Sequence, residues 1–165
     1  MNLDPRRIAR LAILIALSAV GALIKIPSPV GTVAFDSAPA FLAAIAFTGY
    51  EGMIVAAVGH LLSALTMGMP LGVVVHLVIA VTMALAVGIT GWLARRVNLW
   101  VGVVVGLAAN AVLSPLALVP MFGWGFLAAM VVPLLVGAAL NIAVAVVVAR
   151  SLVAAGLAPR PVGVQ

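Results

Sequence analysis

Apolar residues along this chain do not alternate with polar ones at the period of a water-exposed helix or strand. They run on in long stretches, broken only by charge and by proline and glycine. Between those breaks the runs fall near residues 8–25, 37–49, 53–68, 71–94, 99–119 and 126–149. A helix needs roughly 20 mainly apolar residues to cross a hydrocarbon layer about 30 Å thick, so the runs read as spanning helices, the second and third being the shortest. Only Gly49, Tyr50, Glu51 and Gly52 separate those two. The rival parse is one long helix with a glutamate at its centre, a costly place for a carboxylate in lipid.

The distribution of arginine decides between the two parses. With six spans and a cytoplasmic N-terminus, Arg6, Arg7, Arg10, Arg95, Arg96, Arg150 and Arg160 all lie in the cytoplasm and Lys25 alone lies outside. With five spans, the last four of those arginines move to the outer side. The sequence therefore predicts an all-α integral membrane bundle of six transmembrane helices, both termini cytoplasmic, in which residues 1–165 form one domain. Composition agrees: 67% of the side chains are hydrophobic and 7% charged, too apolar for a water-soluble core, and lipid is the solvent for most of the chain.

Eight basic residues against three acidic ones would suggest nucleic acid in a soluble protein. At helix ends they serve as topology signals, and no nucleic-acid partner is expected. The first run follows three arginines as a signal peptide would. It ends in Lys25-Ile26-Pro27-Ser28-Pro29 rather than a small-residue cleavage site, and so reads as the first span.

Two of the expected outer segments are more than linkers. Residues 25–37 carry Pro27, Ser28, Pro29, Gly31, Thr32 and Asp36, which predicts an ordered, non-helical loop able to fold over a cavity as a lid. Residues 119–126 hold Pro120, Phe122, Gly123, Trp124 and Gly125, and set aromatic rings at the outer interface. Trp124 there serves either as a membrane-belt anchor or as a ring for stacking a ligand.

Small residues mark where helices touch. In the fifth run Gly102, Gly106, Asn110 and Ser114 recur every fourth residue; in the sixth, Gly137, Asn141 and Ala145; in the fourth, His76, Ala80, Ala84 and Gly88; in the third, Ala56, His60 and Ala64. Lipid offers these polar groups no partner, and they gather in the outer half of the bundle, which suggests a cavity open to the outside. Asn110 and Asn141 serve equally well as glue between helices. His60 reads as a packing residue, and His76, nearer the mouth, as a ligand contact. The first helix differs: Ala9, Ala12, Ala16 and Ala19 make a smooth stripe without a polar centre, suited to packing inside the bundle or to docking against another protein's helix.

Energy-coupling and catalytic chemistry is missing. The carboxylates are Asp4, Asp36 and Glu51, all expected outside the hydrocarbon core, so paired-carboxylate catalysis has no candidates. No G-x-x-x-x-G-K-[ST] loop is present to cradle ATP, no H-E-x-x-H pair to bind zinc, and no cysteine. The chain reads as a non-enzyme without cofactor or metal, and any uphill transport needs a partner.

A six-span chain of this size, with an N-terminal arginine pair, an alanine-striped first helix and a long first outer loop, resembles the S components of energy-coupling factor (ECF) vitamin transporters. The stretch IKIPSPVGTVAFDSAPAFLAAIAFTGYEGMIVAAVGHLLSALTMGMPLGVVVHLVI, Ile24 to Ile79, is similar to the subgroup that takes up α-ribazole, a cobalamin precursor. The resemblance implies a substrate-specific subunit in a prokaryotic plasma membrane. Its expected partners are a vitamin-like small molecule, a transmembrane coupling subunit and two ATPase subunits. Ala12-x-x-x-Ala16 looks like the helix-one motif that docks on the coupling subunit. The pocket of such proteins lies under the first loop, which recruits Asp36, His76, Asn110, Asn141 and Trp124, with Phe35 as a second stacking ring. Metal-specific relatives carry histidine directly after the initiator methionine; this chain begins Met1-Asn2-Leu3, which argues against cobalt or nickel.

Lys25 is the one cation at the expected mouth, so an uncharged nucleoside suits the pocket better than the anions pantothenate and biotin, and riboflavin remains an alternative. Two other classes are carried: an assembly subunit whose small-residue stripes serve only packing, and a free-standing facilitator.

Overall fold

The computed structural model describes residues 4–28 and 31–159, and the side chains within them except at 26–28 and 31–33. Met1, Asn2, Leu3, Pro29 and Arg160 lie outside the described residues, as do the side chains of Pro27, Ser28 and Thr32. In chain order the elements are α1 (Pro5–Gly21), β1 (Lys25–Ser28), β2 (Gly31–Ala34), α2 (Ala38–Ala46), α3 (Gly49–Thr66), α4 (Val73–Arg96), α5 (Leu99–Ala117), the one-turn α6 (Val119–Phe122) and α7 (Trp124–Ala154). Each apolar run corresponds to a helix. Three of these, α4, α5 and α7, are long and apolar enough to cross a membrane by themselves.

The two short runs are separate helices. Thr48 has an extended backbone, and its hydroxyl accepts from the Glu51 amide at 3.0 Å, a helix N-cap that stops α2 from running into α3. At nine residues α2 is only about 14 Å long. It is the buried centre of the bundle: Ala40, Phe41, Ala43, Ala44 and Ala46 are fully covered by α1, α3, α4 and α7. Its alanines bring those helices close. Gly52 of α3 and Gly91 of α4 sit against Ala44, where a further Cβ has no room.

The row anticipated on α5 is buried against α4. A Cβ at Gly102 meets the Thr90 carbonyl oxygen at 2.6 Å, and one at Gly106 collides with the Thr90 hydroxyl. Residues 25–37, read as an ordered, non-helical loop, contain an antiparallel hairpin in which Lys25 faces Ala34 and Ser28 faces Gly31. The end of α1 abuts its exit strand so closely that only glycine fits at position 21, where the Phe35 carbonyl occupies the place of a side chain.

A charged clasp that the sequence did not suggest ties α1 to α3. Glu51 is 2% exposed, and its carboxylate accepts from Arg10 Nε at 3.0 Å and Nη2 at 2.8 Å, while Arg7 Nε lies 2.9 Å away. The Arg10 guanidinium also lies 4.0 Å over the Phe47 ring. Arg95 on α4 donates to the Ala44 carbonyl at 3.2 Å. A lone buried carboxylate is expensive; two guanidinium groups and the N-terminus of α3 make this one favourable.

Candidate functional site

At the hairpin end of the bundle lies a cavity of about 490 Å³. Its walls are α3, α4, α5 and α7, closed by the base of the hairpin and the turn that follows, which contribute Lys25, Ala34, Asp36 and Ser37. Most of the surface is apolar and methionine-rich, with Met67 capping α3, Met83 on α4 and Met130 on α7. Into this lining project a few polar side chains, the composition expected of a small-molecule site.

Four of the sequence-selected residues, Asp36, His76, Asn110 and Asn141, line this one cavity. Phe35 and Trp124 do not. Phe35 lies against the end of α1 through its backbone. Trp124 opens α7 and is 69% exposed, facing away. The aromatic ring in the wall is Phe126, stacked on Phe122 with centroids 4.9 Å apart. A signal for it was available: Phe126, Met130, Leu134, Ala138 and Asn141 follow the helical repeat and form the inward face of α7.

His60, read as a packing residue, also lines the cavity. Its Nε2 lies 3.2 Å from His76 Nδ1, and its Nδ1 lies 3.6 Å from an Asp36 carboxylate oxygen. The three groups form a line from the turn after the hairpin, through α3, to α4. Among the described residues no set of three or more His, Asp or Glu side chains is arranged to hold a metal ion.

The two asparagines play different structural parts. Asn141 is 1% exposed; its Oδ1 accepts from the Ala38 amide at 2.7 Å, and its Nδ2 donates to the carbonyls of Gly137 at 2.8 Å and Ala34 at 3.3 Å. It pins α2 and the hairpin to α7. His60 Nδ1, His76 Nε2 and Asn110 Oδ1, by contrast, are buried with no hydrogen-bond partner in the protein. An unpaired buried polar atom costs about 1–3 kcal/mol, so three of them on residues of one cavity mark where a bound molecule would be favoured. Ser114 is satisfied by Thr82 of α4 at 2.6 Å.

Three of the four stripe alanines of α1 face outward, and Ala19 is half-buried. Ala9, Ala12 and Ala16 are exposed together with Ile8, Ile13, Leu17 and Val20, whereas Leu14 and Ser18 fill the inward face. The stripe is therefore not spent on packing within the bundle.

A helical membrane bundle with a polar-studded cavity at one end is the architecture of a solute-binding transport subunit. The family described as "ECF transporter, substrate-specific component" matches residues 6–153, and the chain belongs to that family. A solved structure, described as "Structure and mechanism of the S component of a bacterial ECF transporter", superposes with a TM-score of 0.70 at 22% identity, covering 91% of this chain and 96% of that one. The likeness is one of fold. No curated protein sequence matches the chain. Members of this family are transport subunits rather than enzymes, and membership implies a small-molecule substrate and partnership with an ECF module.

Proposed function

We propose that this chain captures a vitamin or vitamin precursor at the outer face of a prokaryotic plasma membrane and delivers it inward when an ATP-driven module engages α1. The observation that carries the reading is the cavity in which His76 Nε2 and Asn110 Oδ1 are left without protein partners. A volume of about 490 Å³ falls within the usual range of small-molecule sites, roughly 300–1,000 Å³. The six-crossing topology with both termini inside is supported by Arg7, Arg10 and Arg95, which gather around Glu51 at the clasp, apart from the cavity. The module is read as a transmembrane coupling subunit that docks on Ala12 and Ala16, with two ATPase subunits.

Our preferred substrate is α-ribazole. An uncharged aromatic riboside matches a wall in which Lys25 is accompanied by Asp36, in which Phe126 supplies an aromatic face, and in which His76 and Asn110 stand ready for hydroxyls. Riboflavin is the second choice, and pantothenate, an anion, suits these groups less well.

The purified protein is to be screened by thermal unfolding against α-ribazole, riboflavin and pantothenate. A ligand at 100 times its dissociation constant stabilises by about 2.7 kcal/mol, and a null result across the panel rejects the substrate assignment. The assembly-subunit reading is favoured at one residue, Asn141, whose amide is wholly engaged by the protein.

A further inference from the structure

The line Asp36, His60, His76 does more than fill the cavity wall, because each of its contacts constrains the position of a proton. A neutral imidazole carries one N–H and one bare nitrogen, and the partner of one nitrogen decides the character of the other. Asp36 is a carboxylate and offers no proton. Its oxygen lies 3.6 Å from His60 Nδ1, too far for a hydrogen bond, and Nδ1 has no other protein partner, so the attraction of the negative charge alone favours the His60 proton on Nδ1. His60 Nε2 is then an acceptor. It lies 3.2 Å from His76 Nδ1, so His76 must supply the proton of that hydrogen bond. His76 Nε2 is left bare, buried, and without a protein partner. The opposite assignment turns a nitrogen lone pair toward the carboxylate.

We propose that Asp36 and His60 are positioning residues that fix the tautomer of His76, so that the cavity presents His76 Nε2 and Asn110 Oδ1 as a pair of hydrogen-bond acceptors and selects ligands that donate there, through hydroxyl or N–H groups, over carboxylates and phosphates. The inference rests on the cavity being a ligand site, as argued above, and deepens that reading by assigning the polarity of the site. Both acceptors are buried atoms of residues that line the same cavity. An anionic group set against these two lone pairs gains no hydrogen bond from them and meets their repulsion. A sugar or amide edge gains two bonds. The same logic gives His60 a purpose that burial on α3 alone does not: it is the connector that carries the influence of the Asp36 charge to a ring on the next helix.

The chain has two histidines, so nitrogen-15 spectra of histidine-labelled protein in lipid report each ring without overlap from others. Without ligand, both rings are expected to show a protonated Nδ1 and a bare Nε2. In Asp36→Asn, which keeps the size of the side chain and removes its charge, the bias is lost and both tautomers of His76 appear. A His76 ring protonated at Nε2 in the unaltered protein, or tautomers indifferent to Asp36→Asn, overturns the relay. The selectivity is measured with α-ribazole and α-ribazole 5′-phosphate as probes. The riboside is expected to bind at least tenfold more tightly, with a change in the His76 Nε2 resonance, and the preference is expected to narrow in His60→Leu. Equal or tighter binding of the phosphate overturns the proposed selection. If neither probe binds at millimolar concentration, the acceptor pair is not a site for such ligands and the α-ribazole reading falls with it, whereas the tautomers are judged by the ligand-free spectra alone.

Discussion

Replacing each cavity asparagine by leucine separates a residue that holds the fold from one that waits for a ligand. Leucine has the branching and the heavy-atom count of asparagine, so the exchange removes hydrogen bonds without opening a void. Two of the Asn141 bonds leave its own helix, to the Ala38 amide at 2.7 Å and the Ala34 carbonyl at 3.3 Å. Side-chain hydrogen bonds between helices in membranes are worth about 0.6 kcal/mol on average and about 1.7 at most, which gives a loss of about 1–3 kcal/mol for the two. The stranded Ala38 amide, inside the bundle, carries a penalty of about 1–3 kcal/mol that overlaps with this loss rather than adding to it. Asn141→Leu is therefore expected to lower stability by about 1–3 kcal/mol. Asn110 Oδ1 has no protein partner, and Asn110→Leu removes a buried unpaired acceptor; stability is expected to hold or to rise by up to about 1 kcal/mol, while ligand binding falls at least tenfold. Titration of the purified variants with SDS in mixed micelles measures the first quantity, and ligand-induced stabilisation the second. If Asn110→Leu proves the more destabilising, or Asn141→Leu costs less than about 0.5 kcal/mol, the division of roles drawn from the hydrogen bonds is wrong.

Glu51→Gln leaves Arg7 and Arg10 facing a neutral amide; because both arginines keep some solvent, the loss should sit at the low end of that for a broken buried pair, about 3 kcal/mol, read from the same titration. Gly106→Ala drives a methyl group into Thr90 and should cost about 1–3 kcal/mol, most of it restored by adding Thr90→Ala. Gly102→Ala meets the Thr90 carbonyl and the Ala94 amide, which are backbone, and the same second substitution should bring no recovery. Ala12→Trp, on an exposed face, should change stability by less than about 0.5 kcal/mol and leave ligand binding intact, yet abolish co-purification with the coupling subunit; retained assembly removes α1 as the docking surface.

Polar residues in apolar helices were legible from sequence because lipid cannot satisfy them, and that reasoning singled out His76, Asn110 and Asn141, which line one cavity; Asp36, in the same wall, was selected through the family resemblance. It did not tell a residue bonded to the protein from one left open, since that depends on which backbone groups come within reach after packing. His60 was read as filler because a single helix shows only its own repeat; the contact with His76 is made across the turn between α3 and α4. Trp124, read either as a belt anchor or as a stacking ring, stands outside the cavity wall for a reason of helical angle. Phe126 stands two residues, about 200° of helix, beyond Trp124, and only the start of α7 at Trp124 fixes which of them turns inward. The Arg7, Arg10 and Glu51 clasp joins residues more than 40 positions apart, with no local pattern to announce it. The helix break beside it was written plainly in Thr48 and Glu51.

The clasp also makes α3 a lever. One end is held to α1 by two arginines; Gly59 lets the helix lie directly on Ser18, and Ser63 donates to the Ser18 carbonyl at 3.2 Å. His60 sits on that same rod, between the last two of these fastenings. Pressure on the outer face of α1 has no slack joint in which to dissipate. A rotation or slide of α3 would change the 3.2 Å spacing between the imidazoles. An engaging partner would then loosen its cargo by detuning one hydrogen bond, with no need to prise the bundle apart.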